Sequence, residues 1–348
     1  MKKYLKILKE NKKHIILKKE QKNISLIIKK SKTGDDKLEK EFYTIKKLRE
    51  NSEFLRHKIP NVGIGRSNYK SNNFFHYNQR FISGNSLSRL LKSNLSKKQT
   101  QNLNMICEEL FEHCINFRTF SGKLPSNQIK KLIMQEYEVL KKKPLLKSIC
   151  EQKYIYVNNY KLTNLDIKLN KLFSSKKNLL LDEDKSIISS LGHFNFHGEN
   201  IIIKNKAISK NYNIIDPDSS LKDLDNIFSL CRYFYTLDHD TITSSKYSIK
   251  GDILELNKFN NKKYTIKYTW KKKILKNYRK IFDIKKFLKN KDQKIKFRFF
   301  NMYVYCLLRG ANVNYDDQLN LINNKKYTFR NNSFFLFLKL LLFINEKD

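Results

Sequence analysis

The sequence contains little glycine, proline and alanine. Its 348 residues include 9 glycines, 4 prolines and only two alanines, whereas lysine outnumbers arginine 60 to 11. Residues with AT-rich codons are abundant and those with GC-rich codons are scarce, so codon bias accounts for much of the lysine. The formal net charge of +38 would still attract anionic groups, including nucleotide phosphates. Nucleic-acid binding is the alternative; a single basic face would favour it, and scattered lysines would not.

The chain also lacks paired cysteines and long apolar runs. It has five cysteines and no Cys-x-x-Cys pair, which favours free, buried thiols in a reducing cytosol over a disulfide framework. The N-terminal region has no apolar segment typical of a signal peptide. The longest apolar stretch, Phe334 to Ile344, is interrupted by Lys339 and is too short to span a bilayer. We therefore expect a cytoplasmic protein with a buried C-terminal helix.

The most informative stretch runs from residue 191 to 225. Residues 193–200 read His-Phe-Asn-Phe-His-Gly-Glu-Asn, a run too rich in turn formers and aromatic residues for a helix. It leads into Ile201-Ile202-Ile203, and a second β-branched run, Ile214-Ile215, follows after a polar segment. Two short strands joined by a polar turn predict a β-hairpin.

The open ends of this hairpin carry two oxygen-bearing side chains. Asn200 precedes the first strand, and Asp216, followed by Pro217, ends the second. An amide oxygen and a carboxylate held together form a site suited to Mg²⁺ carrying a nucleotide phosphate.

These residues resemble the catalytic core of the aminoglycoside phosphotransferase and choline kinase family, which has a protein-kinase-like fold. Small-molecule kinases of this family usually show H-G-D-x-H-x-x-N, a hydrophobic hairpin and then I-D; protein kinases have the related H-R-D-x-x-x-x-N and D-F-G. Here His193, His197, Asn200 and Asp216 fall on matching positions. The match covers residues 191–225 closely and the rest of the chain loosely.

The resemblance implies a role for each matching residue. Asn200 and Asp216 would bind Mg²⁺, and the two histidines, His193 and His197, would be structural residues of the loop. A zinc site at the histidines would need a helix to place both rings on one face, and the Phe-Asn-Phe between them argues against one.

Two further aspartates are expected to support this site. Asp218 could add to the acidic pocket, although a solvated turn residue is an equal alternative. Asp225 matches a family aspartate that steadies the catalytic loop. It, or Asp223, would also cap the helix predicted to follow.

The N-terminal region would form the nucleotide-binding lobe. Residues 14–17 and 24–28 are short β-rich runs, and the second ends in Lys29-Lys30. The helix expected next carries Glu41 beside an apolar stripe that runs from Leu38 to Leu48 or Leu55. In the kinase-like fold a strand lysine pairs with a glutamate on the next helix and orients the nucleotide phosphates. Lys29 (or Lys30) and Glu41 match by order and spacing; an ordinary surface pair is the alternative.

The resemblance implies an α+β, bilobal protein-kinase-like fold. A small β-rich lobe at residues 1–83 would bind nucleotide, and a larger, mainly helical lobe at residues 84–348 would carry catalysis and substrate binding. Residues 79–82 would form the hinge, and Gly84 the turn after it. No glycine precedes Gly34, so the glycine-bearing loop usual between the first two strands is missing, which argues against tight nucleotide binding.

The rest of the chain is expected to be mainly helical. Apolar spacing predicts a helix over residues 96–116, with Cys107 and Cys114 on its buried face. Residues 125–190 read as mostly helical, including helices at 129–140 and 162–173. Further helices are predicted from residue 225 and towards the C-terminus, and residues 247–268 would hold a strand pair.

Asn195 falls where the family has its catalytic aspartate. An amide cannot take a proton as a carboxylate can, but it can orient an acceptor hydroxyl by hydrogen bonding. Glu199 and Asp218 are the nearby carboxylates that could serve as a base. The sequence thus predicts a phosphotransferase that uses ATP and Mg²⁺ to phosphorylate a hydroxyl of a small-molecule acceptor. The alternative is a catalytically impaired pseudokinase that binds nucleotide or acts as a scaffold.

Overall fold

The protein forms two compact units, one of Met1–Gly122 with Ile187–Leu230 and one of Lys123–Ser186 with Cys231–Asp348. The computed structural model describes residues 5–10, 12–20, 24–33, 36–64, 75–117, 128–157, 160–174, 192–208, 210–219, 221, 224–234, 255–259, 263–267, 281, 284–313 and 332–345. The division expected between residues 83 and 84 stays a prediction.

The first unit begins with an antiparallel five-stranded sheet of β1 Leu5–Glu10, β2 His14–Glu20, β3 Ser25–Ser31, β4 Val62–Ile64 and β5 His76–Arg80. The spatial order of these strands is β1-β2-β3-β5-β4. The two predicted strands are confirmed as β2 and β3. Strand β1 was not predicted; it is exposed along its whole length and has no buried face. In β3 alternate side chains are buried, as the two-residue period of a strand requires, and this places Lys29 on the buried face.

Two helices lie between β3 and β4. Helix α1 spans Lys37–Asn51 and buries Glu41 together with its predicted apolar stripe. The stripe does not continue to Leu55 in one helix, because Ser52 is extended (φ −143°) and its hydroxyl accepts a hydrogen bond from the amide of Leu55. Ser52 therefore ends α1 and caps α2, Glu53–Lys58.

A short strand and two helices follow. They are β6 Asn85–Ser86, α3 Leu87–Leu91 and α4 Lys97–Asn116. The predicted helix is confirmed as α4, which starts with a capping box: the Ser96 hydroxyl accepts from the Gln99 amide, and the Gln99 side chain accepts from the Ser96 amide. Cys107 and Cys114 are fully buried on its apolar face, as predicted. All five cysteines of the chain are free and buried.

The second unit begins with helices and a hairpin. Its first elements are α5 Gln128–Lys141, α6 Pro144–Cys150, β7 Tyr154–Val157, β8 Tyr160–Thr163 and α7 Leu165–Ser174. The helix expected at residues 129–140 is confirmed as α5. The helix expected from residue 162 starts later, because residues 160–163 pair with β7 as a strand, and the Asn164 side chain accepts from the Ile167 amide at 2.8 Å to cap α7.

The predicted hairpin is confirmed in the first unit. Strands β9 (Ile201–Ile203) and β10 (Tyr212–Ile214) pair antiparallel, with Ile201 opposite Ile214, and a 3₁₀ turn at Lys204–Ala207 follows β9. Strand β6 pairs with the other side of β9. Helix α8 covers residues 227–234, close to the start predicted for it.

The second unit ends with a strand pair and helices. These are β11 Glu255–Phe259, β12 Lys263–Lys267, α9 Ile284–Lys289, α10 Gln293–Val313 and α11 Asn332–Asn345. The predicted strand pair is confirmed, and β12 also pairs in parallel with β7. The predicted C-terminal helix is α11, which buries Phe337, Leu338 and Leu340 among other residues. Among the described residues, no helix is both long and apolar enough to cross a membrane.

Gly84 allows β6 to approach β9 closely. A Cβ atom at this position would lie 2.6 Å from the carbonyl oxygen of Ile203, whereas one at Gly63 would meet nothing within 4 Å. We expect Gly84→Ala to lower the free energy of unfolding by about 1–3 kcal/mol, since the backbone of β9 must move. The matched control Gly63→Ala should leave it unchanged or slightly raised. Urea unfolding measures both, and equal effects would contradict the close approach.

Candidate active site

A buried lysine–glutamate pair joins the sheet to helix α1. Lys29 on β3 and Glu41 on α1 are 5% and 8% exposed, and the Lys29 Nζ donates to Glu41 Oε1 at 2.6 Å. Of the two lysines considered from the sequence, Lys29 therefore reaches Glu41. Lys30, the next residue, is half-buried.

Tyr77 completes this pair and was not identified from the sequence. It lies opposite Lys29 in the pairing of β3 with β5, is fully buried and donates its hydroxyl to Glu41 Oε1 at 2.6 Å. Only the register between β3 and β5 places Tyr77 opposite Lys29. Sequence patterns do not reveal the register of strands that lie so far apart in the chain.

Charge balance keeps the lysine ionised. Burial alone would lower the pKa of Lys29, but the carboxylates of Glu41 and Asp216 outweigh it and raise the pKa well above its usual value. Burial also raises the pKa of Tyr77 well above its usual value. Lys29 is thus a cation and Tyr77 a neutral donor at physiological pH.

Asp216 brings the second carboxylate to Lys29. Its Oδ1 accepts a short hydrogen bond from the Lys29 Nζ. Burial would raise the pKa of Asp216, but the ammonium of Lys29 outweighs it and lowers the pKa. The side chain of Asp216 is 41% exposed, against 7% for that of Lys29. Asp216 is therefore an ionised carboxylate with an open side available to a ligand.

Two amide side chains hold the backbone of Asp216. Asp216 has a positive φ of 56°, a conformation that is costly for most L-residues. Its carbonyl oxygen accepts hydrogen bonds from Asn195 Nδ2 at 2.7 Å and from Asn200 Nδ2 at 3.3 Å. Asn200 Nδ2 also lies 3.2 Å from the Asn195 carbonyl oxygen. The three predicted residues thus converge at the open end of the hairpin.

Backbone hydrogen bonds tie the loop of residues 192–200 to the end of β10. The Ile215 amide donates to the Asn200 carbonyl at 3.0 Å, and the Asp218 amide donates to the His193 carbonyl at 2.9 Å. Within the loop, the Asn200 amide donates to the His197 carbonyl at 2.8 Å. The predicted residues Asp218 and His197 therefore lie in the same hydrogen-bonded turns as the metal-ligand candidates Asn200 and Asp216.

His193 is almost completely buried. It is 1% exposed, and its ring lies 4.6 Å from that of Phe196. Burial lowers its pKa to about 3, so the imidazole is neutral at physiological pH. These properties suit the packing role expected for it, which stays a prediction.

The start of helix α8 makes hydrogen bonds that hold the loop of residues 192–200. Asp225 is buried, and its Oδ1 accepts from the Ile227 amide at 3.0 Å, so it caps the helix. The Ser229 hydroxyl accepts from the Phe194 amide at 3.0 Å and donates to Asn226 Oδ1 at 3.1 Å. Sequence reasoning found Asp225 but not Ser229 or Asn226; the only signal for these was their polarity in an otherwise apolar run.

The predicted hinge residues lie at the end of β5. Gln79 is buried and pairs with Ile27 of β3 and Val62 of β4. The Phe81 amide donates to the Ser25 carbonyl at 2.8 Å, which leaves fewer backbone groups for an adenine edge than the sequence alone suggested.

The oxygen atoms of Asp216 and Asn200 suit a hard divalent cation. Asp216 offers a partly exposed carboxylate, and the amide oxygen of Asn200 accepts no hydrogen bond from the residues that the structure describes. Mg²⁺ commonly takes one or two protein oxygens and completes its coordination with water and substrate phosphates. In the described part of the chain, no group of three or more His, Cys, Asp or Glu side chains could hold a metal, so an all-protein cage is not formed there.

The fold matches that of aminoglycoside phosphotransferases. A thermostable mutant of the aminoglycoside phosphotransferase APH(4)-Ia, in ternary complex with ADP and hygromycin B, superposes with a TM-score of 0.56 at 12% identity, covering 99% of this chain and 94% of that one. A second mutant of that enzyme, with AMP-PNP and hygromycin B, gives 0.56 at 12% identity, covering 98% and 93%. No protein-family model matches the sequence, and no curated protein does so.

The α+β kinase-like fold expected from the sequence is therefore confirmed. The resemblance to the aminoglycoside phosphotransferases holds at the level of the fold.

Phe194 stands where the family pattern has glycine, and it adopts a positive φ of 49°. Its ring is buried 6.1 Å from that of Phe228. Phe194→Gly should relieve about 1–2 kcal/mol of backbone strain but remove a buried ring worth about 3–5 kcal/mol. We expect a net loss of about 2 kcal/mol in unfolding free energy, measured by urea titration.

Gly192→Ala provides the companion test of this packing. Its Cβ would lie 2.4 Å from the Phe194 ring, so this variant should also be destabilised, and less so once Phe194 is replaced by glycine. A gain of stability in Phe194→Gly would show that strain outweighs ring burial.

Replacing Lys29 would leave Glu41 buried without its cation. We expect Lys29→Met to cost about 3–5 kcal/mol of unfolding free energy, the usual effect of breaking a buried ion pair. Adding Glu41→Gln should recover part of that loss, because an amide needs no counter-charge. Lys30→Met, one residue along β3, is the control and should cost less than about 1 kcal/mol. Equal losses at the two lysines would contradict the pairing.

Proposed function

We propose that the protein transfers a phosphoryl group from ATP to a hydroxyl of a small molecule. The observation that carries this proposal is the contact of the Asp216 carboxylate with Lys29 of the buried Lys29–Glu41 pair. The Asn200 amide lies beside Asp216 and donates to its carbonyl oxygen. Phosphoryl transfer depends on positioning and on stabilising charge rather than on covalent chemistry by the protein. The fold supports the same class, since its structural neighbours include phosphotransferases bound to nucleotide and antibiotic.

Each residue of the site has a proposed task. Asp216 and Asn200 would hold Mg²⁺, which supplies neutralising charge to the phosphates when bound. Lys29 would contact phosphate oxygens, and Glu41 would hold the Lys29 ammonium in place. Lys29 also pairs with Asp216. When Mg²⁺-ATP binds, the phosphates would take the place of Asp216 beside Lys29, and the metal would bind the Asp216 carboxylate.

The acceptor side of the proposed reaction depends on Asn195. Its amide can orient a hydroxyl but cannot accept the proton, so the rate would lack the roughly 10²–10⁴-fold contribution of a positioned base. Glu199, which is exposed, and Asp218 are the nearby carboxylates. We therefore expect slow transfer to a small-molecule acceptor.

A nucleotide-binding pseudokinase is the second candidate. The amide at position 195 and the absence of glycine before Gly34 favour it. In that case the site would bind Mg²⁺-ATP, and no transfer or hydrolysis would be detected. Nucleotide binding is common to both candidates, and turnover separates them.

Mg²⁺-ATP should stabilise the folded protein by mass action, by about 2.7 kcal/mol at a hundredfold excess over Kd, and raise the melting temperature. Asp216→Asn should remove most of the Mg²⁺-dependent part of the shift, because asparagine tolerates the same backbone conformation but lacks the charge. The control Asp36→Asn alters an exposed carboxylate beside Lys40 and should leave the shift unchanged. If millimolar ATP gives no shift with or without Mg²⁺, both candidate functions are wrong.

A further inference from the structure

The side chain of Asn195 faces a group that only a hydrogen-bond donor can satisfy. Its Nδ2 lies 2.7 Å from the carbonyl oxygen of Asp216. A carbonyl oxygen accepts and never donates, so the NH₂ end of the amide must point at it. This fixes the orientation of the amide by chemistry.

The carbonyl that accepts this bond belongs to a residue in the left-handed backbone region. Asp216 has φ of 56°, and the Ile215 and Asp218 amides on either side are tied to Asn200 and His193. Asn195 gives the shorter of the two side-chain hydrogen bonds to the Asp216 carbonyl, 2.7 Å against 3.3 Å for Asn200. The side chain of Asn195 thus helps to hold the backbone angle that aims the Asp216 carboxylate towards Lys29.

An aspartate could not make this hydrogen bond. An ionised carboxylate has acceptors only, so in the side-chain conformation of Asn195 it would set an oxygen against the Asp216 carbonyl oxygen. It would also place a second negative charge beside the Asp216 carboxylate, whose only ion-pair partner among the described residues is Lys29.

We propose that Asn195 is a positioning residue that braces the Asp216 backbone, and that an aspartate at this position would weaken the site rather than restore a missing base. The inference deepens the proposed function, because the residue that Asn195 braces is the proposed Mg²⁺ ligand.

Three variants test the proposed positioning role of Asn195 at neutral pH. Asn195→Ala removes the donor, and Asn195→Asp replaces it with an acceptor. The control Asn51→Asp makes the same chemical change at an exposed amide, which donates to the Lys47 carbonyl at 2.8 Å on helix α1. The first measurement needs no nucleotide: residue-resolved hydrogen exchange at the Ile215 and Asp218 amides.

We expect exchange at these two amides to rise roughly tenfold in Asn195→Ala, as for the loss of one buried hydrogen bond, and more in Asn195→Asp. Exchange in β2 and β3 should not change, which separates local loosening from a general loss of stability. Asn51→Asp should match the wild type. Exchange unchanged in Asn195→Ala would overturn the proposal, even if Asn195→Asp fails to fold.

The second measurement uses Mg²⁺-ATP. Its Kd should rise roughly tenfold in Asn195→Asp, while the Kd for ATP without Mg²⁺ changes much less and kcat for hydrolysis does not increase. Faster hydrolysis in Asn195→Asp with an unchanged Kd would show a restored base and overturn the proposed role of Asn195. If the wild type does not bind Mg²⁺-ATP, the proposed function fails, and hydrogen exchange alone decides the role of Asn195.

Discussion

The constraint on which the first unit depends is the burial of one positive charge between two negative ones. Lys29 is taken out of water almost completely, which is tolerable only because Glu41 and Asp216 both reach its ammonium. Each partner comes from a different part of the fold, a helix and the end of a hairpin. The two carboxylates differ in exposure: Glu41 is closed off with Tyr77, whereas Asp216 stays partly open. The same ion pairs that hold the elements together therefore leave one carboxylate available for a ligand.

Much of this arrangement could be predicted from the sequence, because local patterns encode it. The β-rich run that ends in Lys29-Lys30 predicted β3 and limited the choice to these two lysines, the helical stripe of α1 carried Glu41 beside it, and the β-branched runs flanked by Asn200 and Asp216 predicted the hairpin. These signals need only neighbouring residues. The resemblance to a known family then linked them across the chain. Only the structure shows that Lys29 lies on the buried face of β3.

What could not be predicted depends on register, on backbone angles and on contacts distant in sequence. Tyr77 reaches Glu41 only because β5 pairs with β3 in one particular register. The break at Ser52 and the strand at residues 160–163 overrode apolar patterns that predicted continuous helices. The positive φ angle of Phe194 occurs at a residue type that gives no sign of it, and that of Asp216 at a type that adopts such an angle only occasionally. Asn195 was visible as a departure from the family pattern, but its hydrogen-bond partner was not.

The spacing of the partners of Lys29 has a consequence for how the protein folds. Glu41 is 12 residues from Lys29 and Asp216 is 187 residues away. Strands β1 to β3 and helix α1 follow one another along the chain, whereas the contact with Asp216 closes a very long loop, and contacts distant in sequence slow folding. We expect the sheet with its Lys29–Glu41 pair to form early and the contact with Asp216 to form late. Until that contact forms, Lys29 has only one carboxylate partner, so the proposed nucleotide site would be among the last parts of the fold to be completed.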